Sequence, residues 1–299
     1  ATRGIVEFYD TATQPIAHIW AIVLENGHDV VIGPLIKENV QAFAELTASA
    51  QLPRLSLNYL SDDDNNPGGL FQLGVAIEDE ASSLVTHMLL AGHKRVMIVH
   101  SQSQWSQRAN SAFAEQWPFP ITSGEFVNVK GLTEAVGSAM LTAESEGRKS
   151  ELERLLGTKL EFLPRAREDL DAIVALTSNV ESQALVPALR FHFGDHLPIY
   201  STSQAARLGE VDALKGFKIT ELPLLAASSY QPLNEAFSVA RSNFAELYAL
   251  GHDAYWVGTW LPLLRFDSKL SVPGASGHLW LDGDGSFRRE LELIDLGIR

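Results

Sequence analysis

Apolar and polar positions along the chain follow two periods, and their alternation predicts a succession of strands and helices. Short apolar runs occupy residues 5–10 (IVEFYD), 29–33 (DVVIG) and 53–58 (PRLSLN), and segments with one apolar helical face separate them. The strand starts recur about every 25 residues, which is typical of βαβ units in a parallel sheet. This first series therefore predicts an α/β sheet.

A second series follows the polar stretch at 61–69, which we expect to form a loop. It begins with a short strand and a helix that closes at Gly92, and the first turn of this helix holds three consecutive acidic residues. Further strands are predicted at 95–100, 170–177, 197–202 and 217–225.

The last part of the chain contains elements that could return to the first series. Residues 233–264 have a helical pattern, which we expect to break near Gly251 and to kink at Pro262. Residues 277–296 predict two strands about an Asp-Gly turn, while 131–170 is polar and helix-prone. The predicted fold class is α/β, with two Rossmann-like series.

Composition narrows the classes of partner. The chain has 299 residues, 23 basic and 37 acidic, which gives a net charge of −14. Such a surface repels phosphate backbones and anionic lipid, so we expect neither a nucleic-acid partner nor a membrane-surface role. No apolar run is long enough to span a bilayer, and no signal peptide opens the chain, so either none exists or it was removed. The absence of cysteine excludes disulfides and thiolate chemistry, but it does not choose between cytoplasm and periplasm.

Motifs of common catalytic and nucleotide-binding sites are missing. The sequence has no GxGxxG, GxxxxGK[ST], HExxH, GxSxG or SxxK element. The DGDG run at 282–285 has Phe287 and Leu293 where an EF-hand loop needs glycine and glutamate, so a hairpin turn is expected. His192 and His196 have zinc-like spacing, but the helix is expected to end between them. We therefore predict no metal site, no cofactor and no enzymatic activity.

Charged clusters receive structural interpretations. A glycosidase needs two carboxylates at a defined separation across a cleft. Three acidic clusters occur, and the acidic composition of the chain is enough to explain their presence. Asp62 to Asp64 lie in a predicted loop, Glu78 to Glu80 lie at the start of a predicted helix, and Glu168, Asp169 and Asp171 precede a predicted strand. The basic run at 93–95 follows a predicted helix, whose dipole it complements. A hydrolase that uses cleft carboxylates is kept as a third hypothesis.

Residues suited to ligand binding follow several predicted strands, where open α/β sheets hold their ligands. Gly33 permits close approach to the backbone, and the helix amides expected from near Leu35 could hold an anionic group. Trp105 could stack on a ligand beside Arg108, although a packing tryptophan and a solvent-exposed arginine explain the same residues. The complete predicted ligand set is Gly33, Pro34, Leu35, Asn58, Trp105, Arg108, Thr177, Ser201 and Ser203.

Five stretches of the sequence resemble the C-terminal domain of the LpoA (LppC) family, the outer-membrane lipoproteins that activate a bifunctional penicillin-binding protein. These stretches occur in the family's order and span most of the chain, with residues 121–160 poorly matched. They are DVVIGPLIKENV (29–40), PRAREDLDAIVALTSNVESQALVPALRFHFGDHLPIYSTSQA (164–205), ALKGFKITELPLL (213–225), ELYALGHDAY (246–255) and GHLWLDGDGSFRREL (277–291).

The resemblance implies a type I periplasmic-binding-protein fold, in which three crossings join two α/β lobes with a cleft between them. Lobe one would comprise residues 1–77 and 222–279, and lobe two would comprise 78–221 and 280–299. Family members open this domain with a further apolar strand and helix, and they carry a helical-repeat N-terminal domain and a lipidated cysteine. This chain shows none of these, so we expect a fragment or a short relative.

The resemblance also implies a function. The expected role is that of a non-enzymatic regulator, which binds and activates a bifunctional penicillin-binding protein in the periplasm. It would be tethered to the inner face of the outer membrane, with membrane contact only through a lipid anchor absent from this chain. The alternative, from another class, is a periplasmic solute-binding protein for a small molecule such as an amino acid or cell-wall fragment.

Overall fold

The chain divides into two compact units. The computed structural model describes residues 5–46, 52–61, 66, 69–161, 166–238, 244–264 and 270–297. Unit 1 comprises Ala1–Val75 and Leu222–Arg289, and unit 2 comprises Ala76–Glu221 and Glu290–Arg299. The chain therefore passes three times from one unit to the other.

Helices and strands alternate along much of the described chain, as the α/β prediction requires. In chain order they are α1 (Ile16–Asn26), β1 (Val31–Ile32), α2 (Lys37–Glu45), β2 (Arg54–Ser56), β3 (Leu70–Gln72), α3 (Ile77–Leu90), β4 (Val96–Ser101), α4 (Gln104–Gln116), β5 (Ile121–Phe126), α5 (Val129–Ala139), α6 (Thr142–Leu156), β6 (Ala172–Leu176), α7 (Asn179–Phe191), β7 (Ile199–Ser201), β8 (Phe217–Glu221), α8 (Pro223–Ala226), α9 (Gln231–Phe237), α10 (Ala245–Leu264), β9 (Ser271–Pro273), β10 (His278–Leu281), β11 (Phe287–Glu290) and β12 (Glu292–Asp295). The predicted α/β fold class is confirmed.

Unit 1 is built on a parallel sheet with the strand order β1-β2-β3. Helices α1 and α2 cover one face, where Trp20 and Phe43 meet edge to face at 5.4 Å between ring centroids. The buried guanidinium of Arg54 lies over both rings and donates to the carbonyl oxygens of Phe43 and Leu46 at 3.3 and 3.2 Å. Leu55 and Leu73 face the other core, against α10. An apolar layer on each side therefore holds this small sheet.

The predicted strand at 5–10 does not form. Its backbone is irregular, and the side chains of Ile5 and Phe8 are 92% and 93% exposed. The far edge of the sheet is closed by a bridge between Gln72 and Ser286, whereas β1 pairs only with β2 among the described strands. The prediction was wrong because apolar alternation alone does not make a strand, which also needs a partner for its backbone hydrogen bonds.

Helix α10 runs through the break that was expected at Gly251. Glycine costs helix stability, but tertiary packing overrides that propensity here. One face of α10 is buried in the core of unit 1 through Leu250, Ala254, Val257, Leu261 and Leu264. The expected break was therefore wrong.

The antiparallel strands at the end of unit 1 confirm the predicted hairpin. Strands β10 and β11 are neighbours, and the intervening turn is closed by the amide of Gly285 donating to the carbonyl of Asp282 at 3.1 Å. The predicted lobe boundary at 279–280 falls inside this hairpin, whereas the boundary of the compact units follows Arg289. The division into functional lobes stays a prediction.

A buried aspartate ties α10 to the turn between β9 and β10. Asp253 is 2% exposed, and its carboxylate accepts hydrogen bonds from the amides of Ala275 and Ser276 at 2.6 and 2.7 Å. The hydroxyl of Ser276 donates to the same carboxylate at 2.6 Å, and His252 Nδ1 lies 2.9 Å away. Three donors of an irregular segment are thus satisfied by one helical side chain.

Unit 2 is a six-stranded sheet with the order β12-β8-β7-β6-β4-β5, parallel except for β12. Adjacent residues of β4 face opposite cores. Val96 and Ile98 pack with α3 and α4, whereas Met97 and Val99 pack with α5 and α7. This explains the continuous apolar run of the sequence, because both faces of the strand are buried.

Charged residues at the amino end of this sheet hold the segments that lead into its strands. The carboxylate of Asp171 accepts the amides of Lys94 and Arg95, each at 2.8 Å. Asp169 receives two hydrogen bonds from the guanidinium of Arg167, at 2.7 and 2.8 Å. The structural interpretation of these clusters is supported, while Asp62 to Asp64 lie outside the described residues.

Replacing Asp253 tests the buried carboxylate. We expect Asp253→Ala to lower the free energy of unfolding of unit 1 by about 3 kcal/mol or more, because it leaves several buried donors without an acceptor. Urea denaturation measures the change. Asp212→Ala is the control, since its side chain is 90% exposed and its contact with Lys215 is a surface ion pair. Equal effects of both substitutions would contradict this role of Asp253.

The Arg167–Asp169 pair predicts a pH dependence. Hydrogen bonds and charge from Arg167 lower the pKa of Asp169 from 3.8 to about 2, against a smaller opposing effect of burial. A lowered pKa stabilises the folded state above the unfolded pKa, and this contribution disappears as the pH falls through the folded pKa. The stability difference between the wild type and Asp169→Asn should be small, because the group is 39% exposed. This stability difference should be fully present above pH 3.8 and lost near pH 2. The midpoints of urea unfolding, compared between the two proteins at each pH, measure it. A difference that is unchanged down to pH 2 would contradict the assignment.

Candidate functional site

The topology of unit 2 indicates where a ligand site is to be sought. In chain order the parallel strands β4 to β8 are arranged 2-1-3-4-5, so the order reverses between β4 and β6. Doubly wound sheets hold ligands at the carboxyl ends of the strands beside this switch point. The relevant residues of unit 2 are therefore those that follow Ser101 and Leu176.

A serine hydroxyl bridges the two strands at the switch point. Ser106 Oγ accepts the amide of Ser101 at 3.0 Å and donates to the carbonyl of Leu176 at 2.7 Å. Ser106 lies on the first turns of α4 and is fully buried. Its hydroxyl is therefore committed to joining the ends of β4 and β6.

Two predicted ligand residues, Thr177 and Ser201, are also fully buried at the ends of neighbouring strands. The hydroxyl of Ser201 donates to the carbonyl of Ala175. The hydroxyl of Thr177 lies 2.8 Å from that of Ser182 on α7. Both groups serve hydrogen bonds of the fold.

Glu80 organises the ends of the next two strands. Its side chain is 3% exposed and accepts from the amide and hydroxyl of Ser203, at 2.7 and 2.9 Å. The hydroxyl of Thr220, on β8, donates to the same carboxylate at 2.6 Å. Ser203, a predicted ligand residue, is thus placed by Glu80, whose role sequence reasoning missed because the acidic run was assigned to the dipole of α3.

Arg108 and Trp105 lie on α4. The guanidinium of Arg108 donates to both carboxylate oxygens of Glu78, at 2.6 and 2.8 Å, and so joins α4 to α3. Trp105 is half-buried one turn earlier. Trp105 and Arg108 are thus brought to one end of α4, where the arginine is exposed and also paired with a carboxylate.

The predicted residues of unit 1 form a second group. The amide of Gly33 donates to the carbonyl of Leu55 at 2.8 Å, and the amide of Leu57 donates to the carbonyl of Pro34 at 2.9 Å. Asn58 Nδ2 donates to the carbonyl of Leu35 at 3.0 Å. Gly33 adopts a φ of +110°, which favours glycine. Strand ends β1 and β2 thus bring all four predicted residues together.

The helix expected from near Leu35 begins slightly later. Helix α2 spans Lys37–Glu45, and its N-cap residue is Ile36, which forms no side-chain cap. As a ligand set, the nine predicted residues stay a prediction.

Metal coordination is not indicated by the geometry. Within the described ranges, no group of three or more His, Cys, Asp or Glu side chains is arranged to hold a metal ion. Asp282 and Asp284 instead bond to the guanidinium of Arg288, at 3.3 and 2.9 Å. Helix α7 ends at Phe191, so His192 and His196 do not share a helix.

Among the helices that the structure describes, none combines the length and the apolar character needed to cross a bilayer.

Solved structures share the fold of this chain. The LpoA (YraM) C-domain of Haemophilus influenzae matches with a TM-score of 0.74 and 20% identity, covering 96% of this chain and 85% of that one. A protein described as a "putative branched-chain amino acid ABC transporter" of Chromobacterium violaceum matches with a TM-score of 0.67 and 22% identity, covering 93% and 84%. These likenesses confirm the predicted periplasmic-binding-protein architecture.

Curated relatives match the chain along its length. The penicillin-binding protein activator LpoA of Vibrio cholerae is 26% identical over 311 residues, covering 100% of this chain and 51% of the relative. The Photobacterium profundum protein of the same name is 27% identical, covering 95% and 48%. The chain thus spans about half the length of these relatives. The model of the family described as "LppC putative lipoprotein" matches residues 2–297, and the chain belongs to this LppC family.

Proposed function

We propose that this chain is the synthase-binding part of a lipoprotein that activates a bifunctional penicillin-binding protein. The observation that carries the proposal is the family match over residues 2–297. The Vibrio and Photobacterium relatives are named penicillin-binding protein activators, and the Haemophilus domain is described as a regulator of PBP1A. The family description as a lipoprotein supports the further proposal of a periplasmic location, with a lipid anchor that holds the full-length protein at the inner face of the outer membrane.

The proposed activity is regulation without catalysis. Catalytic side chains need a free nucleophile or base beside a substrate. At the strand ends of unit 2, the hydroxyls of Ser106, Thr177 and Ser201 and the carboxylate of Glu80 all form hydrogen bonds within the fold. This use of the polar groups supports a binding role.

An activator of this kind would act by preferring one state of its partner. It shifts the synthase towards the active conformation only to the extent that it binds that conformation more tightly. The contact therefore needs a surface that contributes a substantial part of the binding free energy. Exposed aromatic side chains commonly make this contribution.

Helix α10 presents such a surface, which we call the aromatic face of α10. Its members are each close to half exposed and lie opposite or beside the buried stripe: Tyr248, Tyr255, Trp256, Trp260 and Leu263. No charged residue belongs to this set, although the chain as a whole carries a net charge of −14. We propose that the penicillin-binding protein docks on this face, because tryptophan and tyrosine are enriched at the centres of protein interfaces.

A cross-linking assay tests both parts of the proposal. A purified bifunctional synthase from the same source is assayed for peptide cross-linking with and without the chain, and stimulation is expected. The Trp256→Ala/Trp260→Ala variant should bind the synthase at least about thirtyfold more weakly, because the loss of even one interface hot spot costs about 2 kcal/mol or more. Binding is measured directly, and thermal unfolding confirms that the variant is folded.

Phe191→Ala is the matched control, because Phe191 is an exposed aromatic side chain on α7 in unit 2. Stimulation that both variants retain would refute the aromatic face but not the activator function. A chain that neither binds nor stimulates the synthase would refute the activator function itself.

The predicted small-molecule ligand has its own test. If the predicted set binds a small molecule, amino acids or cell-wall fragments at a hundredfold excess over the dissociation constant should stabilise the chain by about 2.7 kcal/mol. The combined substitutions Trp105→Ala and Arg108→Ala should abolish this shift in thermal unfolding. A shift that persists in the variant would contradict the predicted ligand set, and the absence of any shift would remove the solute-binding alternative for these molecules.

A further inference from the structure

Asn26 and Gly27 form the only Asn-Gly pair of the sequence, and they lie at the end of α1. Both residues are exposed. Gly27 adopts a left-handed conformation with φ of 70°, and a Cβ added there would meet no atom within 4 Å. Gly27 therefore has no side chain that could shield its peptide nitrogen, and the space that a Cβ would occupy is empty.

Some helices of the described chain end with a capping hydrogen bond from the next backbone amide, and α1 does not. Trp117 donates to the carbonyl of Phe113 at 3.0 Å, and Met140 donates to that of Val136 at 2.8 Å. For Gly27, no acceptor occurs among the residues that the structure describes. Attack by this nitrogen on the side chain of Asn26 therefore requires rotation about the last residue of α1, but it does not require the loss of a capping hydrogen bond.

We propose that Asn26 is a site of spontaneous deamidation, a covalent modification driven by its own backbone. The Gly27 nitrogen loses its proton to solvent base and attacks Cγ of Asn26, forming a five-membered succinimide. The bond from Cγ to Nδ2 breaks, and the nitrogen leaves as ammonia. Water then opens the ring at either carbonyl, which gives aspartate or isoaspartate. The net reaction consumes one water, and no oxidant or reductant takes part.

The modification alters a cluster that holds the start of the described chain. Asn26 Nδ2 donates to Tyr9 Oη at 3.1 Å, and His28 Nε2 lies 2.8 Å from the same oxygen. Tyr9 Oη donates its single proton to the carboxylate of Glu7 at 2.9 Å. We call these four residues the Tyr9 clasp.

Deamidation replaces the donor of the clasp by an acceptor. A carboxylate at position 26 has no proton to give to Tyr9, whose own proton is directed at Glu7. The new negative charge also lies near the Glu7 carboxylate, and like charges repel. The clasp is therefore weakened, and the backbone of residues 5–10, whose side chains other than that of Tyr9 are already exposed, becomes easier for a protease to bind.

Peptide mapping by mass spectrometry tests the modification. The full chain is incubated in mildly alkaline buffer, folded and in urea, and conversion of amide to acid is followed at each asparagine. At Asn26 the folded and unfolded rates should agree within severalfold. The internal reference is Asn128, which is also exposed but precedes the branched Val129 and accepts the amide of Lys130 at 3.1 Å, so folding should slow its conversion. Asn26→Gln keeps the amide donor and should remove the signal.

Conversion at Asn26 that occurs only in urea would overturn the proposal, because the fold would then protect the site. Limited proteolysis with chymotrypsin tests the clasp separately. Cleavage after Phe8 or Tyr9 should be severalfold faster in Asn26→Asp than in the wild type or in Asn26→Gln. Equal cleavage rates would overturn the weakening of the clasp. None of these measurements depends on a penicillin-binding protein, so their failure and that of the activator function are distinguishable.

Discussion

The carboxylate of Asp253 is the acceptor on which the irregular end of unit 1 depends. It accepts hydrogen bonds from the amides of two successive residues and from a hydroxyl. The carbonyl of Ser276 in turn accepts a hydrogen bond from the guanidinium of Arg289 at 3.0 Å. Glu80 has the same role in unit 2, where it joins Ser203 to Thr220. Buried donors without acceptors are costly, so helical carboxylates determine how both units arrange the segments between their strands.

The use of polar side chains for hydrogen bonds within the fold also applies to the strand ends of unit 2. Polar residues at the carboxyl ends of the strands, which many proteins of similar fold type would offer to a ligand, are used here to hold strands and helices to one another. Arg108 is bound to Glu78, and Ser106 spans β4 and β6. These side chains therefore contribute to the stability of unit 2 through hydrogen bonds within the fold.

Sequence reasoning was reliable where a property is local. The alternation of strands and helices followed from periodicity, and the Asp-Gly turn followed from turn chemistry. It failed where the outcome depends on distant partners. The strand at 5–10 had the right pattern but no neighbour, and α10 passes Gly251 because the face that ends in Leu264 is buried. The partner of Arg108 is thirty positions away on another helix, so no spacing rule could have identified it.

The antiparallel strand β12 brings a constraint on the order of folding. Glu292 pairs with Glu221, and all of the chain between these strands except Glu290 and Leu291 belongs to unit 1. The parallel strands β4 to β8 can therefore associate early, but the β8 edge stays open until the later segment has been made. Exposed strand edges promote association with other chains. Until residues 292–295 have been made, this edge can therefore pair with other chains, and ribosome pausing before residue 292 would prolong that exposure.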